Sequence, residues 1–257
     1  MNYENMIVQK DAKIAIITLN RPNKRNALSI GLLEETLDAL EILGKDTTIR
    51  VIVLKGNGPV FCSGHDLSEM AGRKHADYRE LFSVCTDMME AISRIPQPVI
   101  AMVHGMAMAA GCQLVAACDL ALASEDATFA IPGVKIGLYC TTPTSIIMQN
   151  VSKKKILKMG MTGESISARE AERIGLVSEV VPPHKLEPST MKLAKKIAGV
   201  SRHVVASGKH AYYAMLNMDT HQAIKYAAKI MADDCLHKDA REGFSAFIEK
   251  REPRWNE

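Results

Sequence analysis

The stretch best equipped for chemistry is residues 98–120, PVIAMVHGMAMAAGCQLVAACDL. Its opening run, Val99 to Val103, is continuously apolar and partly β-branched, as a strand buried on both faces must be. His104-Gly105 interrupts that run, and only small or flexible residues follow from Met106 to Gly111. An apolar segment from Cys112 to Cys118 then reads as a buried helix. A small-residue turn that feeds a helix leaves several backbone N–H groups without intrahelical partners, all aimed one way. Amides so placed can stabilise an oxyanion as its charge develops. The same residues would also make a Gly/Ala-rich packing junction, and this stretch alone leaves both readings open.

A second turn, Phe61-Cys62-Ser63-Gly64-His65-Asp66-Leu67, carries further reactive residue types. Asp66 stands where it can cap the following helix, which ranks above a catalytic role for it; Glu69 is the other nearby carboxylate. Cys62 and Cys112 read as small buried residues rather than nucleophiles. The six cysteines lack CxxC spacing and several lie in apolar runs, which fits a reduced, intracellular protein and offers no metal site.

The elements around these turns follow from periodicity. Residues 6–10 and 13–19 read as a hairpin turning at Asp11-Ala12, and 21–26 as a polar, proline-containing loop. Ser29 is placed to cap a helix over 30–44, in which Leu32, Leu33, Leu37, Leu40 and Leu43 recur at helical spacing. A short strand is expected at 51–54, a helix at 77–95, and strands at 120–124, 127–132 and 177–181. Residues 133–143 read as loop, followed by helices at 144–150 and 153–159. Ser167-Ala168-Arg169-Glu170 has capping-box spacing and opens a helix that Gly175 ends. From 188 on only helical patterns remain, at 188–199, 202–215, 219–237 and 240–250. The chain therefore divides into an α/β core, 1–187, and a helical region, 188–257. Ile224, Met231, Phe244 and Phe247 give that tail more apolar positions than a surface helix needs. Packing on another subunit would explain them, and docking within the chain is the alternative.

The 257 residues suffice for a large core, and 47% hydrophobic with 24% charged residues is ordinary globular composition. A net charge of +3 without aromatic-interleaved basic stripes argues against nucleic acid as a partner. No apolar run is long enough for a bilayer, so no membrane insertion is expected. The location expected is the cytoplasm of a bacterium, or a mitochondrial matrix after loss of a transit peptide.

The two turns, 61–67 and 103–114, resemble the two signature loops of the crotonase (enoyl-CoA hydratase/isomerase) superfamily. Arg21-Pro22…Asn26-Ala27-Leu28, Cys118-Asp119, Phe129…Pro132-Gly133…Gly137, Thr162-Gly163-Glu164…Gly175-Leu176-Val177 and Glu242-Gly243…Lys250-Arg251 stand in the matching order. This resemblance implies a crotonase-like α/β fold, a spiral of ββα units with a C-terminal α-helical oligomerisation region. It implies an acyl-CoA partner, self-association as a trimer or dimer of trimers, and no resident cofactor beyond the coenzyme A ester itself. In such proteins two backbone N–H groups hold the thioester oxygen, and the matching positions here are His65 and Ala110. The matching adenine and phosphate contacts are Lys24, Arg25, Ala27, Ser63, Asp66 and Leu67, with Lys250 reaching in from a neighbouring subunit. For each of these cations a solvated surface charge is the alternative.

One departure matters. Family hydratases activate water with two glutamates, one in a GGGCE-like run and one in an FxxPE-like run. Gln113 and Gly133 occupy those positions. Gln cannot take up a proton at neutral pH and Gly has no side chain, while general acid–base catalysis contributes about 10²–10⁴ in rate. Ordinary hydration is therefore in doubt. His65 resembles the GHD form of methylmalonyl-CoA decarboxylases in the same superfamily, in which a nearby Tyr orients the substrate carboxylate. Tyr139 lies one residue away from that alignment. Two expectations follow: an enzyme that stabilises a thioester enolate, for hydration, isomerisation or decarboxylation, or a catalytically reduced acyl-CoA-binding protein.

Overall fold

A computed structural model of the chain describes residues 2–255, so residues 1, 256 and 257 of the two expected regions lie outside the described residues. Strands β1 (Met6–Asp11) and β2 (Ile14–Leu19) form the expected hairpin. Asp11 still pairs with Ile14, so the turn falls one residue later than expected, on Ala12 and Lys13, and Ala12 takes a positive φ of 50°. Helix α1 (Ile30–Lys45) starts at Ser29, whose hydroxyl accepts the Leu32 amide. There follow β3 (Val51–Gly56), the one-turn α2 (Leu67–Met70), α3 (His75–Arg94), β4 (Val99–Val103), β5 (Met106–Met108) and α4 (Ala110–Ala117). Next come β6 (Leu120–Ser124), β7 (Thr128–Ala130), α5 (Thr141–Ile147), α6 (Lys153–Thr162), β8 (Ile166–Ser167), α7 (Ala168–Arg173) and β9 (Glu179–Val181). Helices α8 (Leu186–Ala198), α9 (Arg202–Met215), α10 (Thr220–Cys235) and α11 (Lys238–Glu249) complete the chain.

Helices α3, α4, α5, α8 and α11 each start two or three residues earlier than the sequence expectation. Helices α5 and α8 begin before Pro143 and Pro188, which the sequence pattern reads as boundaries. Each proline sits in the first helical turn, where its missing N–H costs no hydrogen bond. Helix α4 begins at Ala110 rather than Cys112, because Ala109, at φ 48° and ψ −117°, turns the chain abruptly into the helix.

Strands β1-β2-β3-β4-β6-β9 form one sheet in that order, parallel except for the β1–β2 pair. Its central parallel strands are predominantly apolar because both faces are covered. Ile52, Leu54, Val99 and Ala101 pack toward the cluster containing α1, α3 and α4. Val51, Val53, Ile100, Met102 and Leu122 face Leu186, Ala194 and Ala198 of α8. A second sheet, β5-β7-β8, has two strands of only three residues and one of two.

Helix α9 is tied to this body by a buried polar clasp. Lys209 donates to the carbonyls of Ile92 at 2.6 Å and Gln97 at 2.8 Å, and its ammonium lies 2.8 Å from Asp119. Asp119 also accepts the Val99 amide and the Tyr213 hydroxyl. Burial pushes the Lys209 ammonium down while Asp119 pulls it up, and the net direction is down. Farther out the tail leaves its apolar side uncovered. Ile224, Met231, Phe244 and Phe247 are 65%, 66%, 54% and 86% exposed, so docking within the chain does not account for them. No helix among the described residues is long and apolar enough to cross a membrane.

Candidate active site

The two signature turns lie side by side because short stretches of backbone pair them. Phe61 donates its amide to His104, Cys62 donates to Met106, and Met108 donates back to Cys62, at 3.0, 3.1 and 2.9 Å. Gly111 lies so close beneath Cys62 that a Cβ there would collide with the Cys62 carbonyl. Gly64, at φ 95°, lets the first turn approach the second: a Cβ on it would lie 2.9 Å from the Ala109 Cβ and 3.5 Å from the Ala110 nitrogen. Ala109 is held in its strained conformation by its amide, which donates to Ala130 at 2.8 Å, and by its carbonyl, which accepts from Gln113 at 3.0 Å. His65 thus follows a glycine that touches the turn presenting Ala110. Among the described residues neither the His65 nor the Ala110 amide donates to any protein acceptor.

The His65 side chain is a separate matter from its amide. Its ring meets Phe82 edge-on, with centroids 5.4 Å apart, and its Nε2 is buried without a partner. Desolvation pushes the imidazole down to about 4, so it is neutral at physiological pH. Gln113 is 3% exposed and its Oε1 is likewise buried and unpartnered. Gln113 lines a cleft of about 500 Å³ between α3, α4, α5 and α9, together with Thr86, Met89, Ser145 and Tyr213. Cys62 and Cys112 are fully buried, and desolvation pushes both thiols up to about 12, which suits packing and not nucleophilic attack.

Gly133 sits in a 3-10 turn, Pro132–Ile136, and its carbonyl accepts the Leu138 amide. A Cβ at this position would collide with the Leu138 carbonyl oxygen and lie 2.8 Å from the Cys140 sulfur. The turn 137–140 therefore closes over the position at which the resemblance leads one to expect a glutamate. Tyr139 points its ring at α6, where a Cβ on Gly160 would lie 2.5 Å from the phenol oxygen. Among the described residues no hydrogen bond or ring contact joins Tyr139 to His65.

The loop expected to meet coenzyme A runs alongside the first turn. Ser63 donates its amide to Arg25, Leu28 donates to Gly64, and Asp66 donates back to Leu28. Lys24, Arg25 and Leu67 are exposed on this strip, while Ala27 and Asp66 are buried in it. Asp66 caps α2 through the Ser68 amide, as expected, and also takes an ion pair with Arg21 at 3.0 Å. Its hydrogen bonds to Ser68 and Arg21 hold the carboxyl below the usual range. Two residues of this frame escaped the sequence reading. Arg21 bridges Asp66 and the Ala27 carbonyl. Asn26, wholly buried, donates to the carbonyls of Asn57, Val60 and Phe61 and accepts the Arg21 amide. The only signal for either was its place in the Arg-Pro…Asn-Ala-Leu string. Lys250 stands exposed at the end of α11, with a left-handed φ of 54°.

A mainly parallel sheet covered by helices, two apposed turns with free amides, and a helical tail make up a scaffold that comparison with known proteins identifies. The enoyl-CoA hydratase/isomerase family profile matches residues 9–257, and the chain belongs to that family, with the crotonase fold. It is 46% identical over 241 residues to the mitochondrial enoyl-CoA hydratase domain-containing protein 3 of Rattus norvegicus, covering 93% of this chain and 80% of that protein. Among solved structures, an enoyl-CoA hydratase of Mycobacterium smegmatis superposes with a TM-score of 0.96 at 43% identity, covering 98% of this chain and 99% of that one. The human enoyl-CoA hydratase domain-containing protein 3 superposes with the same TM-score at 42% identity, covering 98% and 100%.

Proposed function

We propose that the protein binds an acyl-CoA thioester with its carbonyl oxygen between the amides of His65 and Ala110, and lowers the energy of the derived enolate. The observation that carries this is the pair of unpaired amides on turns that Gly64 brings into contact. A donor of this kind is worth about 3–4 kcal/mol to an oxyanion in a water-poor site. Both are backbone groups, so His65 need not act through its imidazole, which burial keeps neutral. The exposed Lys24 and Arg25, with Ala27, Ser63, Asp66 and Leu67, form the strip along which the nucleotide end of coenzyme A would lie. Lys250 would join them from a second subunit. The bare apolar residues of α10 and α11 support self-association as a trimer or dimer of trimers. The mitochondrial relatives support a matrix location, a bacterial cytoplasm being the alternative.

The reaction favoured is not ordinary hydration. Gln113 is no base, and position 133 has neither a side chain nor room for one. Loss of carbon dioxide from a malonyl-type thioester suits what remains: the Cα–carboxylate bond breaks, its electron pair becomes the enolate, and Cα then takes a proton from solvent. That step needs the amides and no general base. A catalytically reduced acyl-CoA-binding protein is the second reading, favoured by the same two positions. The test is a screen of the purified protein with 2-enoyl-, 3-enoyl- and malonyl-type CoA esters, beside direct binding of a saturated acyl-CoA. Turnover of a malonyl-type or 3-enoyl ester supports the enzyme, and micromolar binding without turnover supports the binding protein. Fast hydration of crotonyl-CoA, undiminished in Gln113→Ala, would defeat the account of these two sites. Absence of any acyl-CoA binding would defeat the proposal as a whole.

A further inference from the structure

A cleft of about 680 Å³ lies away from the two signature turns, sharing none of their residues. Its walls bring together Lys13 from the β1–β2 turn, Arg50 from the approach to β3, Arg202 from the start of α9 and Lys238 from the start of α11. Asp239 is the one carboxylate among the lining residues, against the four lysine and arginine side chains. Asp239 is 1% exposed and already accepts the Ser201 hydroxyl at 2.5 Å.

Two of the cations are uncommitted. Arg202 makes no ion pair or hydrogen bond through its guanidinium among the described residues, and its Nε is buried without a partner. Lys238 is exposed and likewise makes no ion pair. Both stand at the first position of helices 14 and 12 residues long, so the positive ends of two helix dipoles open on the same space. His203 and His237 stack beside them with ring centroids 3.6 Å apart and planes within 10°. His203 is held by Asp234 at 3.0 Å, and His237 accepts the Asp239 amide through Nδ1. The rings thereby form a fixed wall to a cationic cleft large enough for an organic ligand.

We propose that this cleft binds a phosphate-bearing small molecule, a diphosphate ester of nucleotide size, at a site distinct from that for the thioester. An unpaired guanidinium, a free ammonium and two helix N-termini are together donors suited to a diphosphate. The probe is inorganic pyrophosphate, titrated calorimetrically into the full chain at low salt. The wild type should bind it saturably, and Arg202→Gln and Lys238→Gln should each weaken it roughly tenfold, the loss of one charged hydrogen bond. Lys238→Glu, at an exposed position, should weaken it further while leaving the thermal midpoint in place. Competition identifies the source. Displacement by ATP alone assigns a free nucleotide, and displacement by both ATP and coenzyme A assigns any diphosphate ester; displacement by neither overturns an organic ligand. Absence of saturation, or affinity unchanged in all three variants, overturns the site itself. Because these residues are separate from His65 and Ala110, failure here leaves acyl-CoA binding untouched, and the reverse also holds.

Discussion

Replacing His65 with phenylalanine isolates the cost of keeping that ring neutral. In the folded chain desolvation holds the imidazole down to about 4, against 6.5 in a solvated chain. The unfolded chain therefore takes up a proton as pH falls through 6.5, while the folded chain does not until about 4. The stability this group contributes is complete above pH 6.5 and is lost progressively between there and 4. At pH 4.5 the difference amounts to about 2.5 kcal/mol for the shift to about 4. Phenylalanine keeps a ring against Phe82 and removes the titrating nitrogens. Urea denaturation followed by far-UV circular dichroism, at pH 8 and pH 4.5 and one protein concentration, gives the stability of each protein. Other groups titrate in both proteins alike, so only the difference between the two pH dependences counts. His65→Phe should lose about 2.5 kcal/mol less than the wild type on going from pH 8 to pH 4.5. Equal losses would refute the view that His65 is a desolvated, unpartnered base.

Three further outcomes follow from the frame around the site. Lys209→Met should cost about 3–5 kcal/mol in denaturant melts by stranding the Asp119 carboxylate, and Lys209→Met/Asp119→Asn should recover part of that loss. Ala109→Gly should raise stability by about 1 kcal/mol, since strain of about 1–3 kcal/mol exceeds the entropic cost of glycine; a lower thermal midpoint would show that the φ of 48° is unstrained. Asp66→Ala should cost about 2–4 kcal/mol, combining a lost helix cap with a lost charged hydrogen bond to Arg21, whereas Asp66→Asn should cost about half as much by thermal melting.

The elements that local pattern defines could be read from the chain. Ser29 and Ser167 cap helices as their spacing implies, and the apolar run at Val99 is the buried strand β4. Strand β7 falls inside the stretch expected at 127–132, whereas β5 and β8 could not be read because two or three residues carry no period; only pairing makes them strands. The prolines of α5 and α8 misled because proline stops a helix in its interior yet is tolerated in its first turn. Within the site, the two apposed turns were visible, since they depend on residue type at a fixed place. The clasp of Lys209 on Ile92 and Gln97 was not, because its partners lie 117 and 112 residues away and nothing local marks them. The same holds for Arg21 and Asp66, 45 residues apart.

Gly133 has a consequence for anyone who would engineer hydration into this scaffold. Inserting one acidic side chain there would not build the machinery, because Leu138 and Cys140 occupy the space its Cβ needs. Residues 133–140 would have to be exchanged as a block, with a longer or differently routed crossing. A point mutation alone therefore places no carboxylate here, because the Leu138 carbonyl and the Cys140 sulfur already stand where its Cβ would lie.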